Sequence, residues 1–282
     1  MSNGPPSLAA VRRVFDARAM DFDDYAFVYD EARSRLLERL EGINIVPDRL
    51  LDLGCANGRA ATALASRFPS SQLIMLDASR AMARQARAKT GGVVLNAALP
   101  QLPFADASMG LVFANLCLPY LDNVRSALLA VARVLEPGGL FAFVTLGPDS
   151  FAELQVARSA LGNKVWPVFA DMHHVGDALI QSGLVDPVLD IDYLQISYRD
   201  WNSLWRELAG SGAAPGQSAT GGLLSGAGRH HALREGYPQV GGEAPYRVTL
   251  ELVFGHAWRN RSQPAAVGPE EIAVPVTQIK RR

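Results

Sequence analysis

The residues best placed for ligand chemistry are Asp52, Gly54, Ala56 and Gly58, in the run Asp52-Leu53-Gly54-Cys55-Ala56-Asn57-Gly58, and Asp77, which closes Leu73-Ile74-Met75-Leu76-Asp77. Glycine has no Cβ and tolerates positive φ, so such a turn lets the backbone pass close to a ligand. N–H groups at the start of a following helix can meet a carboxylate or a phosphate. An acid at the end of the next strand can accept both hydroxyls of a ribose. Together the two features describe the nucleoside-binding half of a doubly wound α/β domain. Alone, the glycine turn would suit a plain strand-to-helix loop, and Asp77 an ordinary carboxylate at a helix start. Dinucleotide sites favour a third glycine three residues after the second. That register holds Ala61 after Gly58 and Arg59 after Ala56, which argues against a nicotinamide dinucleotide.

Other candidates are sparser. Ala114-Asn115-Leu116-Cys117-Leu118-Pro119-Tyr120 follows an apolar run and falls at the carboxyl edge of the expected sheet, where ligands bind. Asn115 and Leu116 there either frame a reacting group or pack a loop. His173 and His174 are adjacent, but Asp171, His173 and Asp177 match no known metal-ligand spacing, so no metal is expected. A loop that caps a pocket with one imidazole inside fits that segment better. No Ser–His–Asp or Cys–His set is evident, and Cys55 reads as packing. Arg12, Arg13 and Arg18, and later Arg229, His230, His231 and Arg234, form either solvated faces or a dock for an acidic protein.

These residues need a scaffold, and hydrophobic periodicity supplies one. Helical spacing runs over residues 9–40, interrupted by the aromatic cluster Phe22, Tyr25, Phe27 and Tyr29, and Pro47 closes this cap. Strands are expected at 50–53, 73–76, 93–95, 109–114 and 140–145. Helices are expected at 57–68, at 79–88 with Ser79 as N-cap, and at 127–135, stopped by Pro137-Gly138-Gly139. That alternation is the rhythm of a parallel sheet covered on both faces. Beyond it, helices are expected at 150–161, 175–182 and 201–208, and alternating strands at 188–197 and 246–254. Residues 209–228 are rich in Gly, Ala and Ser and read as a mobile insert. Residues 1–6 read as disordered. Ile272, Val274 and Val276 suggest a weak edge strand in an otherwise loose tail.

Bulk properties narrow the setting. The 282 residues carry a net charge of −1, so no global field draws the chain to nucleic acid or to an anionic membrane. No apolar run approaches the ~18 residues that span a bilayer. The first ten residues lack the basic flank and apolar stretch of a signal peptide. Two cysteines in so long a chain are no disulfide framework, and the expected compartment is the reducing cytoplasm.

Residues 50–145 resemble the class I S-adenosylmethionine-dependent methyltransferases. The resemblance rests on the Asp52-Leu53-Gly54-Cys55 turn, Asp77, Leu102-Pro103-Phe104, and Leu135-Glu136-Pro137-Gly138-Gly139. It implies a Rossmann-like fold with a mostly parallel seven-stranded sheet, helices on both faces, an N-terminal helical cap and an insert before the last strand. It implies S-adenosyl-L-methionine as cofactor, with the turn on the methionine part and Asp77 on the ribose hydroxyls. Asn115 and Leu116 would lie beside the transferred methyl, and Ala78, Ala98 and Leu99 complete the implied cofactor set. The expected organisation is a cap over 1–46, a methyltransferase domain over 47–258 (core 49–146, insert about 147–246), and a tail over 259–282.

The flanks are similar to the malonyl-acyl carrier protein O-methyltransferase family of biotin synthesis. The matching segments are Arg13-Val14-Phe15-Asp16, Thr145-Leu146-Gly147-Pro148-Asp149-Ser150, Asp171-Met172-His173, Val175-Gly176-Asp177-Ala178-Leu179, Asp186-Pro187-Val188-Leu189-Asp190 and Phe254-Gly255-His256-Ala257-Trp258. This implies methylation of the free carboxylate of a malonyl thioester on acyl carrier protein. Tyr25, His173 and Arg199 are then the candidates to position that carboxylate, and Arg12, Arg13, Arg229 and Arg234 to dock the acidic carrier. The chain departs from the family in four places. Ala56 stands at the middle glycine, Ala98 at the acid that contacts adenine, and Phe22 at a tyrosine near the opening helix, and the Gly-rich insert is poor in basic residues. The first two imply a weaker hold on the cofactor. Two rival readings are a relative of the respiratory complex I assembly factors linked to arginine hydroxylation, and a degenerate, non-catalytic partner protein. Gly255-His256-Ala257-Trp258 favours the biotin branch.

Overall fold

The computed structural model of the protein describes residues 7–121, 123–160, 169–211 and 227–261. Its centre is a seven-stranded sheet. The strands are β1 (Arg49–Leu53), β2 (Gln72–Asp77), β3 (Val93–Asn96), β4 (Met109–Asn115), β5 (Leu135–Leu146), β6 (Leu184–Tyr198) and β7 (Tyr246–Arg259). They lie in the order β3-β2-β1-β4-β5-β7-β6. The first five are parallel, and β7 runs antiparallel to both β5 and β6. The central strands read as unbroken apolar runs because both faces are covered: Leu111, Val112, Phe113 and Ala114 of β4 are all fully buried.

Crossover helices cover the two faces. They include α3 (Ala61–Arg67), α4 (Arg80–Thr90) and α5 (Val124–Val134), with α6 (Ala152–Ala160) and α7 (Met172–Gln181) following β5. Local chemistry sets their starts. Ser79 accepts the Met82 N–H at 3.1 Å, Asn123 the Ser126 N–H at 2.9 Å, and Asp171 the His174 N–H at 2.8 Å.

Two of the boundaries that differ from the periodicity have a local cause. The helix after the glycine turn begins at Ala61, not at 57, because Ala56 (φ 46°) and Gly58 (φ 83°) are left-handed and cannot be helical. Pro137-Gly138-Gly139 does not stop α5, which ends at Val134 with Leu135 already extended. It lies within β5, where the pairing with β4 slips between Met109 and Leu111.

The N-terminal segment forms α1 (Leu8–Arg18), a 3-10 turn over Phe22–Tyr25, and α2 (Phe27–Arg39). It shares one core with the sheet: Phe22, Tyr29 and Leu36 cluster with Leu50, Leu111 and Phe113. Between β6 and β7 stand α8 (Trp201–Ser211) and α9 (Ala227–Gly236), so the Gly-rich stretch expected from 209 begins and ends in helix. Residues 212–226 lie outside the described residues, as do 1–6 and the stretch with Ile272, Val274 and Val276. The last strand reaches Arg259, five residues past its expected end and onto the first residue of the expected tail. Among the described residues no helix is long and apolar enough to cross a membrane.

Candidate active site

The connections from β1 to β3 run one way across the sheet and those from β4 onward run the other. The order therefore reverses between β1 and β4, the place where open α/β sheets bind ligands at their carboxyl ends. A cavity opens there, enclosing about 990 Å³ with its mouth and open solvent included. The end of β1 contributes Asp52, Gly54 and Ala56; the end of β2, Asp77 and Ala78. Ala98 and Leu99 come from beyond β3, and Asn115 and Leu116 from the end of β4. Gly58 is not on this wall: a Cβ there would meet Ala86 and Thr90 of α4 at 3.0–3.2 Å, so its role is close packing.

Backbone hydrogen bonds shape the turn. The Gly54 and Cys55 N–H groups both donate to the Leu76 carbonyl, at 2.8 and 3.0 Å. A Cβ on Gly54 would fall 2.5 Å from the Cys117 Cβ, and its φ is +74°, so only glycine fits. Asp77 binds the next layer: one oxygen accepts the Ala56 N–H at 2.8 Å and the other the Ser79 N–H at 2.7 Å. A carboxylate has about four acceptor positions, so capacity for two sugar hydroxyls is left. Ala56 adopts the left-handed conformation that suits glycine and still delivers its N–H to Asp77.

Two acids, Asp52 and Asp77, sit together at the base of the wall. Asp52 is buried, and its Oδ2 has no hydrogen-bond partner among the described residues. Burial, then the charge of Asp77, pushes its carboxyl up to about 7. Burial also raises Asp77, to about 6, while the Ser79 and Ala56 N–H groups hold it back. An orphaned, buried carboxylate oxygen beside a second acid calls for a cation. Arg12 and Arg33 line the same cavity. An ammonium at Asp52, with a carboxylate near an arginine, fits the amino-acid end of S-adenosylmethionine, and Asp77 fits its ribose. Cys55 and Cys117 are not nucleophiles here. Burial and the two acids push both thiols up, Cys117 to about 12, so both stay protonated.

The cap closes the cavity from above. Phe15 of α1, Phe22 of the 3-10 turn, and Tyr29 and Arg33 of α2 all face it. An ionic clasp ties this cap to the turn. Asp23 accepts from Asn57 at 2.8 Å and Arg59 at 2.5 Å and pairs with Lys89, while Arg59 also holds Asp30. Burial pushes the Asp23 carboxyl up, but Lys89, Asn57 and Arg59 outweigh it and hold it down at about 2.

The three residues expected to position a substrate carboxylate are not on the cavity wall. Tyr25 packs across Gly210 of α8, where a Cβ would fall 2.3 Å from its ring. His173 lies in the first turn of α7 after the Asp171 cap, exposed, rather than in a capping loop. Arg199 is exposed just beyond β6. Of the docking arginines, Arg12 lies on the cavity wall, Arg13 is exposed on α1 and Arg234 is exposed on α9; the side chain of Arg229 lies outside the described residues. In place of the expected set, the cavity holds the phenols of Tyr29 and Tyr120. Their signal was the aromatic cluster of the cap and the run at the edge of β4.

Comparison with known proteins agrees with this geometry. A model described as a methyltransferase domain matches residues 51–143. A malonyl-[acyl-carrier protein] O-methyltransferase of Methylovorus sp. is 34% identical over 268 residues, covering 91% of this chain and 90% of that protein. Its counterpart in Halorhodospira halophila is 36% identical over 284 residues, covering 96% and 95%. Among solved structures, the YcgJ protein of Bacillus subtilis shares the fold at TM-score 0.60 and 18% identity, covering 82% of this chain and 99% of that one. A Haemonchus contortus N-methyltransferase in complex with S-adenosylhomocysteine aligns at TM-score 0.54 and 15% identity, over 86% of this chain and 57% of that one. With relatives above 30% identity matched along nine-tenths of its length, the chain belongs to the malonyl-acyl carrier protein O-methyltransferase family of S-adenosylmethionine-dependent methyltransferases.

Proposed function

We propose that this chain methylates the free carboxylate of a malonyl thioester carried on acyl carrier protein, a step of biotin synthesis in the cytoplasm. The observation that carries the reading is the acid-floored cavity at the switch point, with an Asp52 oxygen at its base that has no hydrogen-bond partner among the described residues. S-adenosylmethionine, when bound, supplies a methyl group already activated by its sulfonium. Asp52 and the Gly54 turn hold the amino-acid end, Asp77 the ribose hydroxyls, and Ala98 and Leu99 flank the adenine. Ala98 offers the base no side-chain acceptor, which costs some cofactor affinity.

The chemistry asks little else of the protein. A carboxylate with a pKa near ~4 is ionised at neutral pH, so no general base is needed. Alignment and exclusion of water carry the rate, worth ~7–11 kcal/mol at best. The cap of α1 and α2 excludes water, and the clasp on Arg59 keeps it in place. Arg12 at the cavity and Arg234 on α9 are docking contacts for the acidic carrier. The test is mass spectrometry of malonyl-carrier protein after incubation with the chain and isotope-labelled cofactor. Gain of one labelled methyl supports the reading; an unchanged carrier in the presence of bound cofactor rejects it.

A further inference from the structure

We infer that the arginine stripe Arg80, Arg84 and Arg87 on the outside of α4 is the face on which the acidic carrier docks; the inference rests on the reading above. The chain as a whole is balanced, at −1, but its charges are unevenly spread. α1 and α4, of 11 residues each, carry seven of the 27 Lys and Arg and only one of the 28 Asp and Glu. That acid, Asp16, is engaged within the protein. It accepts the Ser79 hydroxyl at 2.6 Å and the Ala81 N–H at 3.0 Å, which ties α1 to the start of α4.

Elsewhere arginines are matched with acids: Arg33 with Asp30, Arg35 with Glu31, Arg39 with Asp190 and Arg133 with Asp106. Within the two helices, Arg18 pairs with Asp21 and Lys89 with Asp23. Arg80, Arg84 and Arg87 are exposed and make no ion pair or hydrogen bond among the described residues. Their spacing puts them on one face of the helix, away from the buried Met82, Ala83 and Ala86.

Helix stability does not account for this stripe. Arg80 and Arg84 are one turn apart, where like charges repel. Arg80 is the first residue of α4, directly after the Ser79 cap, where the helix dipole disfavours a cation. Only Arg87, in the last turn, is favoured by the dipole. An anionic partner supplies the compensation that the fold does not. The stripe also starts at the right place. Ser79 and Arg12 line the cavity, so Arg80 stands at its mouth, and the stripe runs about 10 Å from there at ~1.5 Å per residue. A carrier held along α4 keeps its tethered thioester beside that mouth. α4 has no aromatic residue, so it offers nucleic-acid bases no stacking platform.

The test compares wild type with the triple variant Arg80→Glu/Arg84→Glu/Arg87→Glu, with the double variant Arg84→Glu/Arg87→Glu, which leaves the cap end of α4 untouched, and with Arg80→Lys/Arg84→Lys/Arg87→Lys. KM and kcat are measured by label transfer on malonyl-carrier protein and on the malonyl thioester of a short thiol, and S-adenosylmethionine affinity by calorimetry. Triple reversal is expected to raise KM for the carrier ~10–100-fold, within the range of steered association, with a smaller rise in the double variant. Values of kcat, the kinetics on the short thioester and the cofactor affinity should not move. The lysine variant should keep the low KM, because its charge is unchanged. Going from about 0.1 to about 1 M NaCl should raise KM for the carrier in wild type and leave it flat in the triple variant. An unchanged KM for the carrier in both glutamate variants overturns the docking face, as does an equal loss on the two substrates. Binding of wild type to anionic phospholipid vesicles that the reversal abolishes while carrier turnover stays intact overturns it too. A wild type that binds cofactor but methylates neither substrate rejects the underlying reading; a wild type active on both, with carrier turnover indifferent to the reversal, rejects the docking face alone.

Discussion

Replacement of Asp52 by asparagine should stabilise the free protein and weaken its hold on the cofactor. The carboxyl rises from 3.8 to about 7 on folding, about 3 pKa units, and each unit is 1.36 kcal/mol. The sign follows from linkage. Between those two values the folded state binds the extra proton, so stability falls as pH rises from about 4 to about 7 and then levels off. The removable penalty is thus near zero below pH ~4 and reaches at most about 4 kcal/mol above pH ~7. Even a quarter of that, about 1 kcal/mol, moves Tm by about 2–4 °C in a chain of this size. Scanning fluorimetry of wild type and Asp52→Asn across pH 4–9 should show the variant's advantage growing with pH. Added S-adenosylmethionine should reverse the ranking, because a ligand stabilises only what it binds and the neutral amide is a poorer partner for an ammonium. A variant less stable than wild type at pH 8.5, or one with unchanged cofactor affinity, would refute the picture of an anion kept for a cation.

Other perturbations follow from the same geometry. Gly54→Ala drives a Cβ to within 2.5 Å of Cys117 at φ +74°; it should cost about 1–3 kcal/mol in chemical denaturation and abolish cofactor binding. Ala56→Gly relieves a left-handed residue worth about 1–2 kcal/mol against about 0.4–1 of added chain entropy, so Tm should rise slightly; a fall would contradict the assignment of strain. Asp23→Ala opens the clasp on Arg59 and Lys89. Its Tm deficit should shrink as NaCl goes from 0.1 to 1 M, where screening falls from ~10 to ~3 Å; a salt-independent deficit would mean the clasp is not ionic. Arg12→Glu with Arg234→Glu should slow transfer to the carrier-bound substrate far more than to a small thioester, and equal effects would remove both from docking.

The five parallel strands were legible because apolar runs alternate with helical spacing, and the turn and Asp77 were legible because their chemistry is local. What eluded the sequence depends on geometry across long separations. Tyr29 and Tyr120 are 91 positions apart, and neither is conspicuous alone. Tyr25 and Tyr29 are four residues apart, which on one helix would share a face. Ala26, at φ −89° and ψ 6°, separates a 3-10 turn from α2, so Tyr25 turns to Gly210 and Tyr29 to the cavity. His173 read as a pocket residue in a loop, yet the Asp171 cap starts α7 just before it and leaves it in solvent. The helix after the glycine turn starts late because Ala56 and Gly58, two residues apart, are left-handed, which no periodicity reports.

The most direct measurement is calorimetric titration of S-adenosylmethionine into wild type and Asp77→Ala, with Asp77→Asn as the variant that preserves the shape of the turn. Saturable one-to-one binding to wild type, lost in both variants while each still melts cooperatively, is the expected result. Unchanged affinity in either variant, or no binding to wild type, would contradict a methyl donor held by its sugar at the end of β2.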